Sequence, residues 1–257
     1  MKICILGTGH MGAWLVEELC HDHEVAIFDV NPKKMKYFFN VERFHKLEEI
    51  KDFAPELLIN AVDLKHTIQV FDDVMEFIPE NCMLSDVTSV KNDLFEYYKN
   101  NGRPFVSTHP MFGPTFANIR ELENENAIII KESCEEGKKF FRELYESLKL
   151  NIFEYSFEEH DATTAYSLGT PFTSSMVFAA SLKNQEAPGT TFRKHMEIAE
   201  GLLSEDDYLL TEIMFNPFVL EQIKKINSQL SYLTHIIECR DTEVMTDFLN
   251  KLRKNIE

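Results

Sequence analysis

The chain has 257 residues, 44% of them hydrophobic, and a formal charge of −17 from 26 basic and 43 acidic residues. This is the composition of a folded globular protein with one large domain or two ordinary ones, and its acidity argues against a nucleic-acid partner, which needs a basic footprint. The five cysteines, odd in number and without a C-x-x-C pair, read as reduced thiols of a cytoplasmic protein, and no apolar run reaches the roughly 20 residues of a membrane helix.

Lys2 to Leu6 reads as a buried parallel strand and is too short for the apolar core of a signal peptide. Gly7-Thr8-Gly9-His10-Met11-Gly12 follows at once, and a helical pattern runs from Met11 to about Cys20 with Trp14, Leu15 and Leu19 on one face. Glu24 to Phe28 forms the next strand, closed by Asp29, 17 residues after Gly12. This is G-x-G-x-x-G in the setting a dinucleotide site requires: strand before, helix after, acid at the tip of the second strand. Gly7 permits a tight turn, Gly9 lets a pyrophosphate approach the backbone, and Gly12 lets helix and strand pack closely. The helix N-terminus attracts phosphate charge. A carboxylate at Asp29 accepts from ribose hydroxyls and repels a 2′-phosphate, so NAD is expected over NADP, although Lys33 and Lys34 lie close by.

A short helix after Asn31, a weak strand near Arg43–His45 and another short helix are expected next. Glu56–Val62 is a strand whose end, Asn60-Ala61-Val62, falls under the nicotinamide half of a dinucleotide. A helix over Lys65–Phe77 precedes a strand at Cys82–Asp86 and a turn, Asp86-Val87-Thr88-Ser89-Val90-Lys91. Ser89 has the position of an N-cap for a helix starting at Val90. A strand at Pro104–Ser107 leads into a second polar turn, Thr108-His109-Pro110-Met111-Phe112-Gly113-Pro114. If the two strands are parallel neighbours, Ser89 and His109 meet at the carboxyl edge of the sheet, where ligands bind. Pro110 stiffens the backbone at His109, and a histidine on a stiff loop suits a general base. A structural or solvated histidine is the plainer alternative.

Ala127–Lys131 reads as a strand, Glu135–Leu148 as an amphipathic helix and Asn151–Tyr155 as a last strand. Strands alternating with helices to residue 155 imply an α/β, Rossmann-type, doubly wound and mostly parallel sheet. From Ser156 almost every segment has a helical period. A long helix over Glu158–Leu182, bent at Pro171, precedes a loop at Asn184–Thr191 and helices over Phe192–Leu203, Glu205–Phe215, Pro217–Glu238 and Thr242–Lys254. The expected domains are therefore residues 1–155 for nucleotide binding and 156–257 for an all-helical unit. That unit is small for its apolar faces and is expected to complete its core in a homodimer, the alternative being packing on its own first domain.

The GTGHMG, SDVTSVK and STHPMFGP motifs, followed by an all-helical tail, resemble the prephenate/arogenate dehydrogenase family of tyrosine biosynthesis. Glu159-His160-Asp161 and Thr191-Phe192-Arg193 also look like landmarks of that family. The resemblance implies oxidative decarboxylation of prephenate to 4-hydroxyphenylpyruvate with NAD, or of arogenate to tyrosine. It assigns His109 as the base on the ring hydroxyl, Ser89 as its hydrogen-bonding partner beside the nicotinamide, and Lys91 to the same site or its cofactor face. Gly7, Thr8, Gly9, His10, Met11, Gly12, Asp29, Ala61 and Val62 are the expected cofactor contacts. No metal is expected.

The chain departs from the family pattern in the second domain. Histidines common near the proline of the long helix are replaced by Ser167-Leu168-Gly169-Thr170-Pro171-Phe172, and an arginine one or two turns past Arg193 is replaced by Glu197 and Gly201. Arg193, or else Lys194 or His195, is left to hold the substrate carboxylates, unless Arg193 is paired with a local acid. Thr170 and Thr173 are the candidate replacements for the histidines. The competing readings are a dehydrogenase of another 3-hydroxy acid, using Lys183 as base, and an NAD-binding regulator without turnover.

Overall fold

The computed structural model describes residues 1–256 apart from 92, 113–121, 124 and 184–185, so Gly113, Pro114 and the start of the Asn184–Thr191 loop lie outside the described residues. Eight strands form one sheet in the order β3-β2-β1-β4-β5-β6-β7-β8. They are β1 (Lys2–Leu6), β2 (Glu24–Phe28), β3 (Glu42–Phe44), β4 (Leu57–Asn60), β5 (Met83–Asp86), β6 (Phe105–Pro110), β7 (Asn126–Ile130) and β8 (Asn151–Tyr155). Every pairing is parallel except β6 with β7. The first six strands have the 3-2-1-4-5-6 order of the dinucleotide-binding Rossmann fold, with the topological switch between β1 and β4.

Helices cover both faces: α1 (His10–Leu19), α2 (Ile50–Phe53), α3 (Thr67–Val74), α4 (Leu94–Asn101) and α5 (Glu135–Ser147). The period-2 alternation of the strands explains this. Ile3 and Ile5 of β1 enter one buried cluster with Trp14, Leu15, Leu19, Phe141 and Tyr145. Cys4 and Leu6 enter the other with Phe53, Phe71, Val74 and Tyr98. A strand covered on both faces is apolar throughout, as Lys2–Leu6 is after its first residue. After Asn31 the chain makes successive turns closed by Lys34 N–H to Asn31 O and Met35 N–H to Pro32 O, where a short helix was expected.

Beyond β8, Ser156 caps α6 (Phe157–Thr164) through a full capping box: its side chain accepts from Glu159 N–H, and Glu159 accepts from Ser156 N–H. The expected long helix is interrupted. A π-helical turn at Ala165–Gly169 separates α6 from α7 (Thr170–Ala180), and Pro171 sits in the first turn of α7. Proline has no N–H to donate, so the ladder changes register just before it instead of bending through it. Gly169 lets Val219 pack directly against this turn, since a Cβ there would lie 2.7 Å from Val219 Cγ2. The helices α8 (Thr190–Leu203), α9 (Asp207–Met214), α10 (Val219–Cys239) and α11 (Thr242–Lys254) complete the chain. Among the described residues no helix is long and apolar enough to cross a membrane.

Candidate active site

The glycine turn joins β1 to α1 at the switch point. Gly7 has φ +86°, a left-handed conformation that suits glycine, and a Cβ there would lie 2.8 Å from Ala61 O. A Cβ on Gly12 would lie 1.9 Å from Gly7 O, so only glycine lets α1 start this close to the turn. At Gly9, the N-cap of α1, a Cβ would meet nothing within 4 Å. That space lies at a helix N-terminus, where unpaired N–H groups favour phosphate. His10 and Met11 occupy the first turn of the helix, His10 exposed and Met11 half-buried. Ala61 N–H donates to Leu6 O, which holds Ala61-Val62 beside Gly7.

Asp29 is buried and ties the turn to β2. Its Oδ2 accepts from Thr8 N–H at 2.8 Å and Thr8 Oγ1 at 3.0 Å, and its Oδ1 accepts from Asn31 N–H at 2.8 Å. No local feature of the motif marks this second task. Some acceptor capacity on the carboxylate remains for ribose hydroxyls.

The second cluster lies at the ends of β5 and β6. Lys91 is fully buried and its three ammonium hydrogens have three acceptors: Asp86 Oδ1 at 2.5 Å, Thr108 O at 2.8 Å and Thr88 Oγ1 at 3.4 Å. Asp86 also accepts from Thr88 N–H at 3.1 Å and Tyr98 OH at 2.8 Å. Burial pushes Asp86 up, but Lys91 and these hydrogen bonds outweigh it and hold the carboxyl below its usual range. Residues 87–91 therefore wrap around a carboxylate instead of starting a helix. The helix begins at Leu94 with Asp93 as N-cap, so Ser89 is not the cap of this helix. Ser89 is half-buried and makes no side-chain hydrogen bond with another described residue.

His109 is not on a loop. β6 continues through Pro110 because β7 takes over as its partner: Phe105–Ser107 pair with β5, whereas Thr108–Pro110 pair antiparallel with Ala127–Ile129, His109 opposite Ile128. The antiparallel strand fixes His109 more firmly than a turn would. Its Nδ1 lies 3.0 Å from His160 Nε2, on α6, and His160 Nδ1 lies 3.1 Å from Asp161 Oδ1. Burial, with His160 and Lys91 nearby, pushes His109 well below the ordinary histidine range. Burial lowers His160 also, against the pull of Asp161. Both imidazoles are neutral at pH 7, and His109 Nε2 makes no hydrogen bond with a described residue. Phe112, three residues on, packs edge-on against Trp14 with ring centroids 5.2 Å apart, which ties this strand to the helix of the glycine turn.

The second-domain candidates lie elsewhere. Arg193 is exposed, donating to Pro188 O at 3.1 Å and Thr190 Oγ1 at 3.4 Å, and it has no ion pair with a described acid. Lys194 and His195 are exposed too. Thr170 lines an apolar groove of about 420 Å³ with Tyr166, Ile226, Leu230, Leu233 and Leu252; no residue of the glycine turn or of β6 borders it. Thr173 donates to Gly169 O inside its own helix. Lys183 is exposed just past the end of α7. His160 is the site residue that pattern reading did not assign. The only signal was its place in Glu159-His160-Asp161 at the head of a helix.

Residues 15–150 match the family model described as prephenate dehydrogenase, nucleotide-binding domain. The chain belongs to the prephenate dehydrogenase family. It is 24% identical over 215 residues to a probable arogenate/prephenate dehydrogenase of Methanocaldococcus jannaschii, a match covering 78% of this chain and 48% of that protein. The chain thus spans about half the length of the curated relative it matches. The fold agrees with other members of the family. A prephenate dehydrogenase from A. aeolicus, solved with hydroxyphenyl propionate and NAD+, superposes with a TM-score of 0.85 at 17% identity, covering 100% of this chain and 98% of that one. An arogenate dehydrogenase from Synechocystis superposes with a TM-score of 0.79 at 16% identity, covering 99% and 98%.

Proposed function

We propose that the chain is an NAD-dependent prephenate dehydrogenase, converting prephenate to 4-hydroxyphenylpyruvate with loss of CO2. The observation that carries this reading is His109: a buried, neutral imidazole whose Nε2 bonds no described residue, on a strand at the carboxyl edge of the sheet. NAD fits the glycine turn, where Gly9 leaves open space at the N-terminus of α1 and Asp29 stands at the tip of β2. Gly7, Thr8, Gly9, His10, Met11, Gly12, Asp29, Ala61 and Val62 would hold it, and when bound it supplies the hydride acceptor.

The chain's own residues bind, orient and move one proton. His109 Nε2 accepts a hydrogen bond from the ring hydroxyl and takes its proton as the carbinol carbon is oxidised, which avoids a cationic carbon. Ser89 orients the same hydroxyl. Aromatisation of the ring drives the loss of the carboxylate, so positioning and a base are the main demands on the protein. Lys91 acts on the site from beneath, through Asp86 and Thr108. Arg193, exposed and without an ion pair to a described acid, is the proposed cation for a substrate carboxylate; Thr170, on its separate groove, would reach substrate only from that side. Arogenate is the second reading, kept open by the replaced histidines and arginine of the helical region, where this chain departs from the family pattern.

The helical region, residues 156–257, is proposed as the substrate and dimerisation domain beside a nucleotide domain of residues 1–155. Leu220, Leu230, Ile237, Leu249 and Leu252 are exposed on α10 and α11, and a second copy would cover them. The test is NADH formation by the purified protein, given prephenate and arogenate separately, each with NAD and with NADP. Turnover of prephenate with NAD is expected. Turnover of arogenate alone would replace the substrate but keep base and cofactor. Tight NAD binding with no turnover of either would overturn the enzyme reading.

A further inference from the structure

We infer that Asp161, acting through His160, sets the tautomer of His109 and so makes its Nε2 the base. The inference rests on the proposed role of His109 and extends it to two positioning residues. It follows from what each group can donate. A carboxylate only accepts, so His160 Nδ1, 3.1 Å from Asp161 Oδ1, carries a hydrogen. Neutral imidazole has one N–H, so His160 Nε2 is a lone pair. His109 Nδ1 lies 3.0 Å from that lone pair and must donate to it. His109 Nε2 is then left bare, the form that can take a proton. The opposite tautomer of His109 would set two lone pairs against each other at 3.0 Å in a buried site, an unmade hydrogen bond on both rings.

The surroundings hold this chain in place. His160 is fully buried, and its backbone N–H donates to Ser156 O in the capped first turn of α6. Asp161 keeps 16% of its side chain exposed at the edge of the His160 contact. Its own carbonyl accepts from Asn216 Nδ2 at 2.9 Å, and Asn216 is buried between α9 and α10. The buried Lys91 charge discourages a second proton on either imidazole, at His160 against the opposite pull of its partner Asp86. Packing alone does not require this arrangement. Two apolar side chains would fill the same space without polar atoms to satisfy.

The test has two arms. In 15N-labelled full-length protein, imidazole nitrogen–proton correlation spectra should show His109 protonated at Nδ1 with a bare Nε2, the signals assigned by their loss in His109→Asn. A wild-type spectrum with His109 protonated at Nε2 would overturn the inference, and this arm needs no turnover, so it decides even if neither substrate reacts. In the second arm Asp161→Asn replaces an obligate acceptor by a group that can also donate. Its kcat should fall on the order of 100-fold or more, as when the orienting carboxylate of a catalytic histidine is lost, with KM and NAD affinity unchanged. His160→Gln, whose amide oxygen can still accept from His109 Nδ1, should keep more kcat than His160→Ala. A wild-type kcat in Asp161→Asn, in a protein that turns over, would also overturn it.

Discussion

The sheet and the helical region bury their apolar residues to different degrees. Ile3, Ile5, Leu57, Ile59, Ile128 and Ile129 have no exposed surface, whereas Leu230 of α10 is 55% exposed and Ile237 57%. In α10, 21 residues long, Val219 and Ile236 are the buried ones. The sheet buries its apolar residues within one chain; the helical region leaves several exposed, and the proposed second copy would cover them. The exception is α6. Phe157 enters a sheet cluster with Leu84 and Tyr98, and His160 meets His109 on β6. The helix after the boundary belongs physically to the sheet, and the site lies where the two regions join.

The largest expected effect sharpens that view of the junction. His109→Asn should lower kcat by two to four orders of magnitude, roughly the contribution of a general base, with NAD affinity nearly intact by titration. Turnover near the wild-type rate would remove His109 from the chemistry. Lys91→Met tests the rigid side of the comparison. It leaves Asp86 as an uncompensated buried charge, and chemical denaturation should show a loss of about 3–5 kcal/mol; a stability equal to wild type would mean that the buried pair is unimportant.

Acid should find the junction next. His109 and His160 both have lowered values when folded, so between those values and the unfolded one, near ~6.5, the unfolded chain binds more protons. Their contribution is whole above that pH and is lost as pH falls below it, at up to about 1.4 kcal/mol per pH unit for each histidine. Urea midpoints measured down to acid should fall less steeply in His109→Asn than in wild type, and parallel curves would contradict the buried neutral pair.

Smaller effects separate cofactor choice from assembly. Asp29→Asn keeps an oxygen for Thr8 but removes the charge, and the preference for NAD over NADP in kcat/KM should drop on the order of tenfold. An unchanged ratio would leave Asp29 as a brace for the turn alone. Leu230→Lys should change the folding stability of a single chain by no more than about 0.5 kcal/mol, because the site is exposed, yet sedimentation should shift the protein from dimer to monomer. A monomeric wild type would show that the open helical faces serve something other than a second copy.

Local signals carried the sheet. Apolar runs, a glycine turn in its strand–helix setting and Asp29 at a strand tip are short-range features, and β1, β2 and β8 have the limits their residues suggest. The motifs around Asp86–Lys91 and Thr108–Phe112 were legible for the same reason. Their roles depended on partners distant in the chain. Whether Ser89 caps a helix depends on Lys91 turning inward to Asp86, and whether His109 sits on a loop or a strand depends on β7. Likewise His160, 51 residues from His109, has no local mark that separates it from a helix-start histidine. By itself the sequence determined the fold class and the nucleotide turn, because backbone sterics and hydrophobic period act over a few residues, while His109 stood out as a candidate base through its motif's resemblance to a family. Only the tertiary structure decided which groups face that base and in which proton state, because hydrogen bonding and desolvation depend on neighbours that the fold brings together.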